Sequence, residues 1–267
     1  MSESDDDSFN YDSDEYDVDI IEEVEEKTFF STLISQYDRQ NGYISLSLKQ
    51  CYFIYLDTLD TLKDVLNCSR DKTSVLLRQY NYQTSRLMDD YFNIGQEALL
   101  KQYFLQATNT LIQYNNVINE CQICHVEEED LYSLNCQHHV CKSCYITYII
   151  HNIQHQGSSN KGLITCPTYK CSAILLESDI KTLLGEENIK NYEKYQEFVT
   201  KAYIQSQNTS MKYCAQPKAC TQILYVFDLS KLQNSKVVTC NSCHYSFCFH
   251  CHRETHEPVN CQQLQKW

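Results

Sequence analysis

The run CNSCHYSFCFHCHRETHEPVNC, residues 240–261, decides how this chain folds. Within it Cys240, Cys243, Cys248, Cys251, His256 and Cys261 recur at the short gaps of a metal-binding segment, and Cys214 and Cys220 precede them to make a group of eight. An earlier group of eight is built the same way: Cys121-x2-Cys124, Cys136-x-His138-x2-Cys141-x2-Cys144 and Cys166-x4-Cys171. Zinc takes four ligands in a tetrahedron, so two groups of eight divide into four ions with no ligand left over. One CxxC pair is a weak signal, whereas four of them with histidines at fixed offsets are a strong one. Of the sixteen cysteines only Cys51 and Cys68 fall outside the groups, and they read as buried or idle thiols.

The competing readings are a disulfide framework and an iron–sulfur protein. The chain opens MSESDDDSFN, acidic and polar, unlike a secretory signal, and no apolar run is long enough to span a membrane. The expectation is therefore a cytoplasmic or nuclear protein, where adjacent CxxC pairs chelate an ion rather than bridge distant segments.

Charge is uneven. Residues 1–26 hold thirteen Asp and Glu and no Lys or Arg, so this segment accounts for the whole net charge of −13. A segment so charged and so poor in large apolar residues cannot offset its ordering entropy, and residues 1–27 are expected to be a disordered acidic tail. Zinc adds negative charge to the other half, because bound thiols are deprotonated: a four-thiolate site is net −2. No basic stripe is visible, which argues against nucleic acid as a partner.

Residues 28–118 read as helical. The stretch LDTLDTLKDVL places Leu56, Leu59, Leu62, Val65 and Leu66 on one face. After a break at 67–72, Thr73 is the expected N-cap of a second helix, and Thr84 or Ser85 that of a third carrying Leu87, Met88, Tyr91 and Phe92. Between the metal groups, residues 176–210 predict a linker helix, with Ile189, Tyr192, Phe198, Val199, Ala202 and Tyr203 at helical period. At 1.5 Å per residue such a helix would hold the two metal modules apart as two bodies on a semi-rigid spacer.

The first group resembles the RING cross-brace, in which alternate ligand pairs share an ion. That resemblance implies one site of Cys121, Cys124, Cys141 and Cys144 and another of Cys136, His138, Cys166 and Cys171; His138 rather than His139 completes the spacing. With the x4 gap before Cys171, residues 119–175 look like the first RING of the RING-in-between-RING (RBR) E3 ubiquitin ligases. Residues 211–264 look like their in-between-RING (IBR) domain, which pairs ligands in sequence order: Cys214, Cys220, Cys240 and Cys243, then Cys248, Cys251, His256 and Cys261. The acidic tail, the segment TSVLLRQYNYQTSRLMDDYF and the closing YSFCFHCHRETHEP resemble the ariadne branch, whose ubiquitin-associated-like (UBA-like) bundle would occupy about 55–105.

The fold this implies is a set of small α/β zinc-stabilised modules, a RING cross-brace and a bilobal IBR, behind an N-terminal α-helical bundle. The function it implies is zinc-dependent recruitment of a ubiquitin-charged conjugating enzyme for transfer of ubiquitin to proteins. The expected enzyme contacts are Ile123, Tyr145 and Pro167. Further expected partners are ubiquitin and modified cullin scaffolds, with no membrane involved. Where an ordinary RING places a donor after its last ligand, this chain has Ser172. The sequence reaches Trp267 without the second RING that carries the family's catalytic cysteine, so no catalytic residue is assigned. The alternative expectation is a non-catalytic binding or scaffold module of the ubiquitin pathway.

Overall fold

The computed structural model describes residues 41–103, 105, 111–114, 119–128, 130–155, 161–216, 220–232, 236–264 and 266. The acidic segment 1–27 and residues 156–160 of the Gly/Ser loop lie outside them.

The described chain begins with a short strand, β1 (Tyr43–Leu46), and then a long helix, α1 (Leu48–Leu66). Ser47 starts that helix with a reciprocal cap: its Oγ accepts the Gln50 N–H at 3.2 Å and Gln50 Oε1 accepts the Ser47 N–H at 2.8 Å. Asn67 stops it in the left-handed conformation, φ 49°. The buried positions Cys51, Ile54, Tyr55, Leu59, Leu62 and Leu66 recur every three or four residues, an apolar stripe facing inward.

α2 (Arg70–Gln79) begins earlier than expected. Ser69, not Thr73, caps it, because Ser69 is placed to accept an N–H (Lys72, 3.4 Å) directly after the Asn67 stop, while Thr73 lies a turn inside and is fully buried. α3 (Thr84–Ile94) follows Gln83 with no side-chain cap, so neither Thr84 nor Ser85 plays that part. A short α4 (Gln96–Gln102) completes the bundle. The region read as helical also contains strands: β1, and β2 (Ile112–Tyr114), which joins the sheet of the first cysteine group.

In that group β3 (Asn119–Glu120) and β4 (Glu127–Glu128) form a hairpin around Cys121 and Cys124. β5 (Leu131–Ser133) and β6 (Val140–Cys141) complete the antiparallel order β2-β5-β6, and α5 (Lys142–His155) leaves directly from β6. α6 (Glu177–Leu184) and α7 (Ile189–Ser206) lead on to β7 (Met211–Tyr213), β8 (Ile223–Val226), β9 (Val237–Thr239), β10 (Ser246–Cys248) and a terminal turn of helix, α8 (Cys261–Leu264).

The linker helix is present, but it is not a spacer. α7 buries Tyr195, Val199, Thr200, Ala202, Tyr203 and Ile204. Tyr203 packs against Tyr55 of α1 and Tyr82, with ring centroids 5.3 and 5.6 Å apart. The reason is that α7 is apolar on more than one face, so it stabilises the fold most when helices cover it. Polar bonds reinforce this packing: the Tyr52 and Tyr192 hydroxyls both donate to Glu177 Oε1, at 3.0 and 2.9 Å. A single core accordingly runs from Ile44 and the bundle through the first cysteine group to α7 and Ile223. A second, smaller core holds Leu224, Val226, Val238, Phe247 and Phe249.

The least expected core residue is Arg78, only 1% exposed. Its Nη1 donates to the Gly162 carbonyl at 2.8 Å and to Tyr195 Oη at 3.0 Å, and its Nε to the Ser74 carbonyl at 3.2 Å. Lys161 Nζ returns a bond to the Gln79 carbonyl at 2.8 Å. The bundle is thereby tied to the first cysteine group and to α7 together.

Candidate metal centres

The sixteen residues singled out in the two groups come together as four sets. They are Cys121, Cys124, Cys141 and Cys144; Cys136, His138, Cys166 and Cys171; Cys214, Cys220, Cys240 and Cys243; and Cys248, Cys251, His256 and Cys261, with the ligand atoms of each set all within 4.8 Å of one another. None of the sixteen cysteines is in a disulfide. Tetrahedral ligands at a zinc–sulfur distance of about 2.3 Å stand about 3.8 Å apart. The structure gives 3.9 Å for Cys124–Cys141, 3.6 Å for Cys214–Cys243, 3.8 Å for Cys220–Cys240 and 3.6 Å for Cys248–Cys261.

The chain interleaves its ligands in the first group, and this follows from topology. β3 and β4 present Cys121 and Cys124 to the β6–α5 junction, which carries Cys141 and Cys144, while the Cys136–His138 turn meets the loop bearing Cys166 and Cys171. His138 turns Nδ1 to Cys166 Sγ at 3.8 Å, whereas His139 packs its ring edge-on against Tyr114 at 4.8 Å. In the last set His256 directs Nε2 at Cys251 (3.3 Å) and Cys261 (3.5 Å), and its Nδ1–H donates to the Val259 carbonyl at 2.6 Å. That second bond fixes the ring and leaves the inward nitrogen free for a metal.

Three knuckles share one backbone design. At CQICH, CNSCH and CFHCH the histidine N–H bonds the carbonyl of the first cysteine (His125 to Cys121, 2.9 Å; His244 to Cys240, 2.9 Å; His252 to Cys248, 2.8 Å). These histidines take φ of 59°, 58° and 60°. The turn points amides at the first sulfur. Burial opposes ionisation of Cys121, but the Cys124, Cys141 and Ile123 N–H groups outweigh it and bring the thiol down to about 6. Cys240 and Cys248 likewise fall to about 7, burial again being outweighed by amides, chiefly those of Cys243 and Cys251. Other members move the opposite way: burial, then their neighbouring thiols, push Cys136 up to about 12 and Cys261 up to about 11. In three of the four sets backbone amides stabilise one thiolate, and a cation would hold the thiolates of each set together. The donor sets therefore fit zinc. A lowered folded value means that in the metal-free chain these thiolates persist as pH falls below 9.0, and the stability they contribute is lost below about 7 for Cys240 and Cys248 and below about 6 for Cys121.

A left-handed φ costs an L residue about 1–2 kcal/mol that glycine avoids. His244 is exposed, so His244→Gly is expected to leave the metal set intact and raise stability by up to about 1 kcal/mol, part of the gain being offset by chain entropy. A melting temperature that drops would show that the His244 side chain makes a stabilising contact.

The expected enzyme-contact residues separate. Ile123 is 41% exposed at the tip of the first knuckle and Pro167 is half-buried beside Cys166. Tyr145 is corrected: it is fully buried, because it sits on the inner face of α5. Among the described residues its hydroxyl has no nitrogen or oxygen partner, and burial, then the thiols of Cys166 and Cys136, raise it well above the ordinary phenol range. Val126 (51% exposed) and Tyr169 (85%) are surface residues of the same two loops that sequence reasoning missed; their places next to metal ligands were the available signal. Ser172 is exposed. Outside the four sets, Cys51 is buried and burial pushes its thiol up to about 12, a poor nucleophile.

Fold and sites together define a protein of clustered Cys/His metal modules, and residues 193–261 match the model of the IBR domain, a half RING-finger domain. Over most of its length the chain is similar to curated E3 ubiquitin-protein ligases. It is 27% identical to E3 ubiquitin-protein ligase arih1l of Danio rerio over 236 residues, 80% of this chain and 42% of that protein. Identity is 26% with E3 ubiquitin-protein ligase ARIH1 of Homo sapiens (84% and 40%) and 28% with probable E3 ubiquitin-protein ligase ARI8 of Arabidopsis thaliana (86% and 39%). The chain thus spans about two-fifths of the length of these curated relatives. Among solved structures, a chain of the pParkin-pUb-UbcH7 complex aligns with a TM-score of 0.39 and 24% identity over 55% of this chain and 45% of that one, a likeness too slight to rest anything on.

Proposed function

We propose that this chain is the recruiting portion of an RBR-type E3 ubiquitin ligase, held in shape by four zinc ions, one in each Cys/His set. The observation that carries it is the interleaved pairing of the first eight ligands with Ile123 exposed at the knuckle tip, in a chain whose relatives are named ubiquitin ligases. Zinc supplies cross-links that a module of this size cannot replace with apolar core. The residues of the chain then do the recognition: the two metal loops present Ile123 and Pro167 as an apolar shelf for the loops of a ubiquitin-charged conjugating enzyme. Tyr145 is buried, and in this reading the exposed Val126 and Tyr169 complete the shelf. Ser172 after the last ligand offers no guanidinium to lock the charged enzyme, which suits handing ubiquitin to a ligase cysteine rather than directly to lysine.

The UBA-like bundle, α1 to α4, is the reader of a ubiquitin-like modifier on cullin scaffolds in this account, and the acidic tail is a solubilising arm. The bundle shares one continuous core with the first cysteine group.

Ile123→Ala tests the shelf. The variant is expected to weaken binding of a ubiquitin-charged conjugating enzyme by about 1–3 kcal/mol with zinc content unchanged, as truncating a central apolar anchor does. An unaltered titration curve would place the docking surface elsewhere.

A further inference from the structure

β1 belongs to two cores at once. It pairs antiparallel with β8, Tyr43 opposite Val226 and Leu46 opposite Ile223, and so becomes the outer strand of the sheet β1-β8-β7. Gly42 makes the approach possible: at φ +73° its carbonyl takes the N–H groups of both Phe227 and Asp228 at 3.1 Å, and a Cβ there would meet the Asp228 carbonyl oxygen at 2.9 Å. Strand alternation then sorts the side chains. Ile44 and Leu46 enter the large core with the bundle, and Tyr43 packs against the small core of the last cysteine group.

On that second side the polar atoms of β1 converge on one metal ligand. The Tyr43 hydroxyl accepts the N–H of Thr239 at 3.1 Å, and Ser45 Oγ accepts the N–H of Asn241 at 2.9 Å. These are the amides on either side of Cys240, itself fully buried. The Ser45 hydroxyl, in turn, is directed at Cys240 Sγ at 3.9 Å. Ser45 is 9% exposed, and it lies 195 residues from Cys240 in sequence. Every polar group that β1 directs at this knuckle thus either fixes the backbone around Cys240 or faces its sulfur.

We propose that Tyr43 and Ser45 are positioning residues of the Cys214/Cys220/Cys240/Cys243 zinc site, so that this lobe is completed by a strand from outside it, ahead of the helical bundle. The proposal rests on the zinc reading above. The hydroxyl withdraws charge from the Cys240 thiolate and occupies the side from which a proton or an oxidant would reach the sulfur. The two capped amides keep the knuckle from opening. The bundle and this lobe therefore share one strand, with Ile44 and Leu46 in the core beside the bundle and Tyr43 and Ser45 facing the knuckle.

The test uses the full chain loaded with zinc, challenged with excess of the chromogenic chelator 4-(2-pyridylazo)resorcinol, following release with time. For Ser45→Ala, one equivalent of zinc is expected to leave about 10-fold faster than from the wild type, the scale of an outer-shell loss, with the other equivalents unchanged. Ser45→Thr, which keeps the hydroxyl, should restore the slow phase. Leu46→Ala, on the opposite side of the same strand, separates the hydroxyl from mere strand docking. If Leu46→Ala frees the same single ion as fast as Ser45→Ala, or if Ser45→Ala speeds all equivalents or none, the proposal is overturned. A wild-type chain without zinc would overturn the zinc reading and this proposal together, whereas a zinc-loaded wild type with an unresponsive Ser45→Ala overturns this proposal alone.

Discussion

Stripping the metal with a strong chelator is expected to unfold the segment 121–261 rather than merely empty it. Apart from Met211 and Ile223, which enter the large core, the described residues of the last cysteine group have only the small core around Leu224, Val238, Phe247 and Phe249, with strands of three or four residues. Strands that short do not stand alone. A structural zinc contributes about 10–16 kcal/mol of apparent binding free energy, comparable with the whole stability of a typical domain. Without the ion, three or four thiols lie within 4.8 Å of one another with burial and mutual proximity holding several of them protonated, and nothing replaces the cross-link. Loss of amide protection across β7 to β10, seen by hydrogen exchange after chelation, is the expected readout. Helices α1 to α3 should keep part of theirs, because Leu59, Leu66, Leu76, Leu77 and Leu87 pack without help from a metal. A zinc-free chain with protected β7 to β10 would contradict the account.

Arg78→Ala is expected to be the most damaging substitution outside the metal sets, at about 3–5 kcal/mol. The guanidinium fills the space between α2, α7 and the Gly162 turn, with no carboxylate among the partners that fix it. Truncation leaves a cavity and strips the Gly162 carbonyl and the Tyr195 hydroxyl of their donor. Arg78→Met should cost less, because it fills most of the volume and removes a charge that was expensive to bury. Thermal midpoints of the two variants, compared with wild type in saturating zinc, decide this. An alanine variant within about 1 kcal/mol of wild type would mean that the clamp carries little of the stability assigned to such groups.

Sequence made the ligand sets legible because zinc chelation leaves its spacing in the chain: the knuckle needs two residues between cysteines, and His138 and His256 fall where a fourth donor is wanted. Grouping those ligands needed the resemblance to the RING and IBR patterns, since spacing alone does not distinguish interleaved from sequential pairing. What escaped was long-range. YISL reads as four unremarkable residues, and its role depends on ILYV, about 180 residues away. Arg78 reads as a solvated charge on a helix; only the packing of α7 and the Gly162 turn over it makes it a core residue. Tyr145 follows a ligand and so reads as surface, but the direction of α5 turns it inward. The periodicity of α7 was visible, yet periodicity gives one apolar face and not how many neighbours will cover it.

Elemental analysis of the purified chain, combined with an accurate protein concentration, tests the central claim most directly. The account predicts four zinc ions per chain, one for each Cys/His set. Two or fewer, in protein that is folded and was never exposed to a chelator, would contradict it.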